Sequence, residues 1–164
     1  MKKIIIFLLV VFSLTACSNY GKKVTVEGTK GEVFYKGDGV TEADANKLGK
    51  YLKDDIKYFG ADKALSVQLM KSKEDGYDIR FVVDEEKIKA APQTVDAFAQ
   101  IGAAMSMDLY DNKPVNIIFT DDHFKDIRTL PFDKEAVKKL KEKMNPSVIE
   151  ETEIPEDTKS DDKQ

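Results

Sequence analysis

Apolar residues fall along this chain in three patterns. Ile4 to Phe12 is an unbroken apolar run behind Lys2 and Lys3. It is too short for a stable bilayer-spanning helix, which needs roughly 20 apolar residues. Beyond it, apolar positions either alternate, as in half-buried strands, or recur at spacings of three and four, as on one face of a helix. Lys23 to Glu27 alternates around Val24 and Val26, and Glu32-Val33-Phe34-Tyr35-Lys36 resumes after Gly28-Thr29-Lys30-Gly31. The two runs predict a hairpin or one bent strand, broken by Gly37-Asp38-Gly39. Thr41 can cap a helix whose apolar face is Ala45, Leu48, Leu52, Ile56 and Phe59, with Gly60 as its end. Lys47, Lys50, Lys53 and Lys57 form its solvated side. Leu65 to Met70 and Tyr77 to Val83 both alternate, and Ser72-Lys73-Glu74-Asp75-Gly76 between them reads as a hairpin turn.

A second helix is expected from about Gln93, with Val95, Phe98, Gly102, Met105 and Leu109 on one stripe, ending at Asp111-Asn112-Lys113-Pro114. Val115 to Thr120 reads as a strand, Asp121 to Phe124 as a turn and Lys125 to Leu130 as a short last strand. Asp133 can cap a final helix, Lys134 to Lys143. From 146 to 164 the chain is mostly charged and too poor in apolar surface to offset ordering entropy, so an acidic disordered tail is expected. The elements predict an α+β fold for 24–145: a ferredoxin-like βαββαβ sandwich with an extra C-terminal strand and helix. Counting strands from Val33, its sheet order would be 4-1-3-2.

Alternation sorts the sheet faces. Val33, Tyr35, Val67, Leu69, Ile79, Phe81, Val83, Ile117 and Phe119 should lie under the helices. The other face would carry Phe34, Ser66, Met70, Asp78, Val82 and Ile118, with Gln68, Arg80, Asn116 and Arg128 as candidate binding residues. The first hairpin or the C-terminal helix is its expected cover.

The N-terminal run has the basic start, short apolar core and small residues of a secretory signal. It ends on Leu14-Thr15-Ala16-Cys17, which resembles the lipobox of bacterial lipoproteins. The resemblance implies removal of residues 1–16, a diacylglycerol on the Cys17 sulfur and a further acyl group, such as palmitate, on the new amino terminus. Several chains anchor firmly where one binds only marginally. Residues 17–23 would be the lipidated cysteine and a short tether whose last six residues reach at most about 20 Å. Lys22, Lys23, Lys30 and Lys36 then either face anionic head groups or are ordinary solvated lysines. Ser18 after the cysteine implies outer-membrane sorting if the source is Gram-negative. Cys17 is the one cysteine, so no disulfide staples the domain.

Losing Lys2 and Lys3 with the signal moves the formal charge from −4 to −6. An acidic chain outside the cytoplasm argues against nucleic acid as partner. His123 is the only histidine and lies in Asp121-Asp122-His123. In the ferredoxin-like order Asp84-Glu85-Glu86 would end at the same edge, one intervening strand and about 10 Å away. Carboxylates with one imidazole can hold a divalent ion, with Asp121 and His123 as ligands; the plainer reading is an Asp-stabilised turn. No serine or cysteine nucleophile has a recognisable partner, and Gly37-Asp38-Gly39 lacks a phosphate-loop pattern. Gly39 to Asp44, Tyr77 to Val83 and Phe119 to Arg128 resemble parts of uncharacterised bacterial membrane-proximal domains over 24–130, a likeness that implies no activity. The expected function is a lipid-anchored, non-enzymatic binding or assembly module of the cell envelope. It needs no cofactor, and its partners are the membrane through the N-terminal lipid and another envelope protein or a small ligand. The alternative is a metal-dependent envelope hydrolase centred on His123.

Overall fold

The computed structural model describes residues 20–144. The signal run, Cys17 and the expected disordered tail lie outside the described residues. Among the described residues there are six strands and four helices, in the order β1 (Lys22–Thr25), β2 (Glu32–Lys36), α1 (Glu42–Asp54), β3 (Ser66–Lys71), β4 (Tyr77–Val82), α2 (Glu85–Ala90), α3 (Pro92–Asp108), β5 (Val115–Thr120), β6 (Asp126–Leu130) and α4 (Lys134–Met144).

Local chemistry accounts for the helix starts. Thr41 and Asp44 cap each other's backbone N–H groups at the head of α1. Ala45, Leu48 and Leu52 on its inner face are fully buried. The helix stops at Asp54, well short of Gly60. Lys57 turns into the left-handed region (φ 59°), and the Tyr58 N–H returns to the Leu52 carbonyl at 2.7 Å. Phe59 stays buried although it has left the helix, because its ring packs over Gly31, where a Cβ would sit 2.4 Å from it. The short α2 was not expected. Asp84 starts it by accepting from the backbone N–H groups of Glu86 and Lys87. Pro92 then opens α3 at a position that needs no N–H.

The sheet runs β1-β2-β3-β4-β5-β6 in chain order. β2 is parallel to β3 and β4 to β5, and the other pairs are antiparallel. The α+β class is thus observed, with β6 beyond β5 as expected, but the order 4-1-3-2 is not. Each helical crossover joins neighbouring strands instead of leaving room for a third between them. Alternation fixes the face a residue occupies, not the strand it pairs with. Chain order also has a consequence for handedness. The second βαβ unit runs antiparallel to the first, yet the helices of both pack on the same sheet face. The two crossovers therefore have opposite hands, and one of them is the rare left-handed kind.

The core lies between that face and α1 and α3. Val33, Val67, Phe81 and Phe119 form one cross-strand row in register, and Tyr35, Leu69, Ile79 and Ile117 the next. All eight are buried. Gly102 lets α3 approach closely, since a Cβ there would lie 2.9 Å from Ile117. Phe81 is the hub of the core aromatics, edge-on to Tyr58 at 5.0 Å and to Phe98 at 4.9 Å. Burial pushes the Tyr58 hydroxyl up to about 12. α4 packs along α3 on the helical side, so it does not cover the other face.

Truncating Phe81 should be the most damaging simple core change. Phe81→Ala is expected to cost about 3–5 kcal/mol, read as a lower urea midpoint with an unchanged slope.

Candidate functional site

The face away from the helices carries a row that crosses all six strands: Lys23, Phe34, Gln68, Arg80, Ile118 and Thr129. Beside it Met70, Asp78 and Asn116 are also in register. Three of the four residues expected to bind a ligand here, Gln68, Arg80 and Asn116, do share this face. Arg128 does not. It pairs with Phe119 and so belongs to the helical side, exposed at the edge strand.

The amides of the face and the Arg80 Nη groups bind the chain's own segments, while the buried Arg80 Nε has no hydrogen-bond partner among the described residues. Gln68 is nearly fully buried (3 % exposed), and its Nε2 donates to the Tyr20 carbonyl at 2.9 Å. Arg80 donates from Nη1 to the Phe124 carbonyl at 3.0 Å and forms a two-pronged pair with Asp126, at 2.6 and 3.3 Å. Asn116 donates to Asp78 at 2.8 Å, and its side-chain oxygen accepts the Phe132 N–H at 3.0 Å. The cover is therefore neither the first hairpin nor α4. It is Tyr20 from one end of the chain and the β5–β6 turn from the other.

Both covering segments adopt conformations that need explaining. Gly21 has φ +87°, and a Cβ there would lie 2.3 Å from the Tyr35 carbonyl oxygen. Only glycine lets the chain leave β1 and lay Tyr20 back over the sheet. Phe124 holds φ 57°, a costly choice for a bulky residue. The Arg80 hydrogen bond and ring burial offset that cost. Its ring meets Phe34 at 5.4 Å and Tyr20 at 5.8 Å, and Tyr20 meets Phe34 at 6.2 Å. These three rings wall a concave groove of about 430 Å³ whose floor includes Leu65, Ser66 and Val82, with Asp122 at its mouth. It lies at the end of the sheet where β3 begins and β4 and β5 finish.

The adjoining turn holds the metal candidates. One ligand atom each from Asp121, Asp122 and His123 falls within 4.8 Å of the others. Asp121 Oδ1 already accepts the N–H groups of His123 at 2.9 Å and Lys125 at 2.8 Å, which is how it shapes the turn. Asp122 pairs with His123 Nδ1 at 2.6 Å, and both side chains are largely in solvent. The Lys125 N–H, with the His123 N–H and charge behind it, holds the Asp121 carboxyl below its usual range. No strand separates this turn from Asp84, since β4 and β5 are neighbours and the Val83 N–H donates to the Thr120 carbonyl at 3.0 Å. Asp84 does not join the cluster, because its carboxylate caps α2 and pairs with Lys87.

The family model AF_1994_N, described as a family N-terminal domain, matches residues 23–131. The chain belongs to this family. The AF_1994_N domain so matched takes in the whole sheet apart from the first residue of β1 and ends before α4. No curated protein and no solved structure matches the chain. Among the described residues no helix is long and apolar enough to cross a membrane.

Sequence reasoning missed Tyr20 and Phe124 as site residues. The available signals were an aromatic residue just before Gly21 and another closing an Asp-rich turn. Two outcomes are expected. Gln68→Ala leaves the Tyr20 carbonyl without its partner and should cost about 1 kcal/mol, with faster amide exchange at Lys22 and Val24, whose N–H groups face β2. Asp121 is more acidic in the folded state, so its stabilisation is present above the unfolded carboxyl value of about 3.9 and is lost as pH falls through the depressed folded value. Asp121→Asn should therefore lower stability at neutral pH and flatten the acid limb of urea-unfolding curves measured between about pH 2 and 7.

Proposed function

We propose that this chain is a lipid-anchored protein of the bacterial cell envelope whose AF_1994_N domain serves as a non-enzymatic binding or assembly module at the membrane surface. The observation that carries this reading is the spacing between anchor and domain. Leu14-Thr15-Ala16-Cys17 ends a basic-then-apolar leader, and only Ser18 and Asn19 separate Cys17 from Tyr20, which is already packed on the sheet. Such a connection keeps the domain at the surface of whatever holds the cysteine.

The open face supports binding in preference to chemistry. Gln68, Arg80 and Asn116 hold Tyr20, Phe124 and Phe132 in place, and what they build is an aromatic-walled groove. The Asp121-Asp122-His123 turn is accounted for by its own hydrogen bonds.

Expression of the full chain in a bacterium with an alkyne-bearing palmitate analogue tests the anchor. Wild type should incorporate the label and partition into detergent. Cys17→Ala should remain unlabelled and keep its leader by mass. Label that survives in Cys17→Ala, or a wild type that never acquires it, would overturn the reading.

A further inference from the structure

The point at which the chain leaves the domain decides which side can face the membrane. The Tyr20 carbonyl is fixed over β3 by Gln68, in the interior of the sheet, and its ring is lodged between Phe34 and Phe124. Three residue steps lead from Tyr20 to Cys17, a reach of about 10 Å at full extension. From above β3 to the outside of β1 is two strand spacings, about 10 Å. Passing the helical layer adds about 10 Å more. Cys17 therefore falls short by about half of the path needed to bring α1 or α3 against a bilayer that holds its lipid.

From this we infer that the open sheet face, at the end bearing the groove, is the membrane-facing surface, and that the groove walled by Tyr20, Phe34 and Phe124 meets phospholipid at the interfacial level. This inference rests on the lipid anchor at Cys17. The chemistry of the groove suits that level: Tyr20 is an aromatic ring with one polar edge, the kind that concentrates at the head-group boundary, and Phe34 and Phe124 add apolar wall beside it. Lys23 lies on the same face, where its ammonium pairs with Glu32 and sits 5.9 Å from the Phe34 ring centre. Tyr20 is itself a wall of the groove, so a lipid on Cys17, three residue steps away, would sit within about 10 Å of it. A soluble ligand would have to approach it from the bilayer side or along the bilayer surface.

The sequence permits a clean test, because it contains no tryptophan and a single cysteine. Tyr20→Trp places the one fluorophore in the groove wall. Gln100→Trp places it at an exposed position on α3 in the helical layer. Lipidated full-length protein carrying each reporter is incorporated into vesicles of dibrominated phosphatidylcholine, and its emission is compared with that in unbrominated vesicles. Tyr20→Trp should be quenched at least about twofold, as a ring at the interface requires, and Gln100→Trp should be unaffected. Equal quenching of the two, or stronger quenching of Gln100→Trp, overturns the inference. A twenty-residue Gly-Ser linker inserted between Asn19 and Tyr20 spans about 25 Å on average. It should erase most of the difference between reporters, and a difference that persists in full would overturn the short tether as its cause. The same variants, with residues 1–16 removed and Cys17 alkylated in vitro by a thiol-reactive dialkylglycerol, make the measurement independent of cellular processing. Failure of lipidation in the cell would sink the anchor reading and with it this inference, whereas lipidation in the cell without the expected quenching in either form would sink the orientation alone.

Discussion

One face of the sheet must be kept from water, and this constraint organises the domain. Cross-strand rows of Val, Leu, Ile and Phe fill that face from β2 to β5. α1 and α3 are laid against it with glycines, Gly49 and Gly102, where the backbones come closest. Burying such side chains is worth about 1.5–3 kcal/mol each. Ion pairs on the rim, such as Lys89 with Glu85, sit in solvent and add little. The domain has no disulfide to share the task, so the packing of this one layer carries its stability.

The opposite face is organised differently. Away from its exposed edges at Lys23 and Thr129, its polar side chains are turned onto the chain itself. They act as hooks, Gln68 for the N-terminal segment and Arg80 for the β5–β6 turn. Each hook satisfies a carbonyl that would otherwise be covered without a partner, which explains why amides and a guanidinium occupy the middle of a sheet. A strained Phe124 and an obligatory glycine at 21 are the local concessions that bring three rings together.

Much of this was legible in the sequence and some of it could not be. Strand alternation placed all eight residues of the two buried rows on the correct face, because the side-chain period of two depends on nothing beyond the strand itself. Val115 to Thr120 was bounded to the residue. The end of α1 was misjudged because Lys57, not Gly60, takes the left-handed turn. α2 went unseen because one and a half turns leave no periodic signal, only the Asp84 cap. Arg128 was assigned to the wrong face because the length of the 121–125 turn, not the strand pattern, sets the pairing with β5. Strand order was beyond reach. The preference for right-handed crossovers favours a split arrangement, and this chain departs from it. The groove residues were hidden for a related reason. Tyr20 and Phe124 are more than a hundred positions apart, and only the tertiary fold joins them.

The chain-order sheet also bears on how the protein is made. Every strand pairs with the strand just before it in sequence, so loop-closure costs stay low and the sheet can grow steadily from its N-terminal edge. The contact between Tyr20 and Phe124 is the exception, since it needs the turn beyond β5. Tyr20 is hooked by Gln68 once β3 is in place, but its ring is walled in only when nearly the whole domain has formed. Closing the β5–β6 turn therefore latches the first described residue of the chain to the last strand pair.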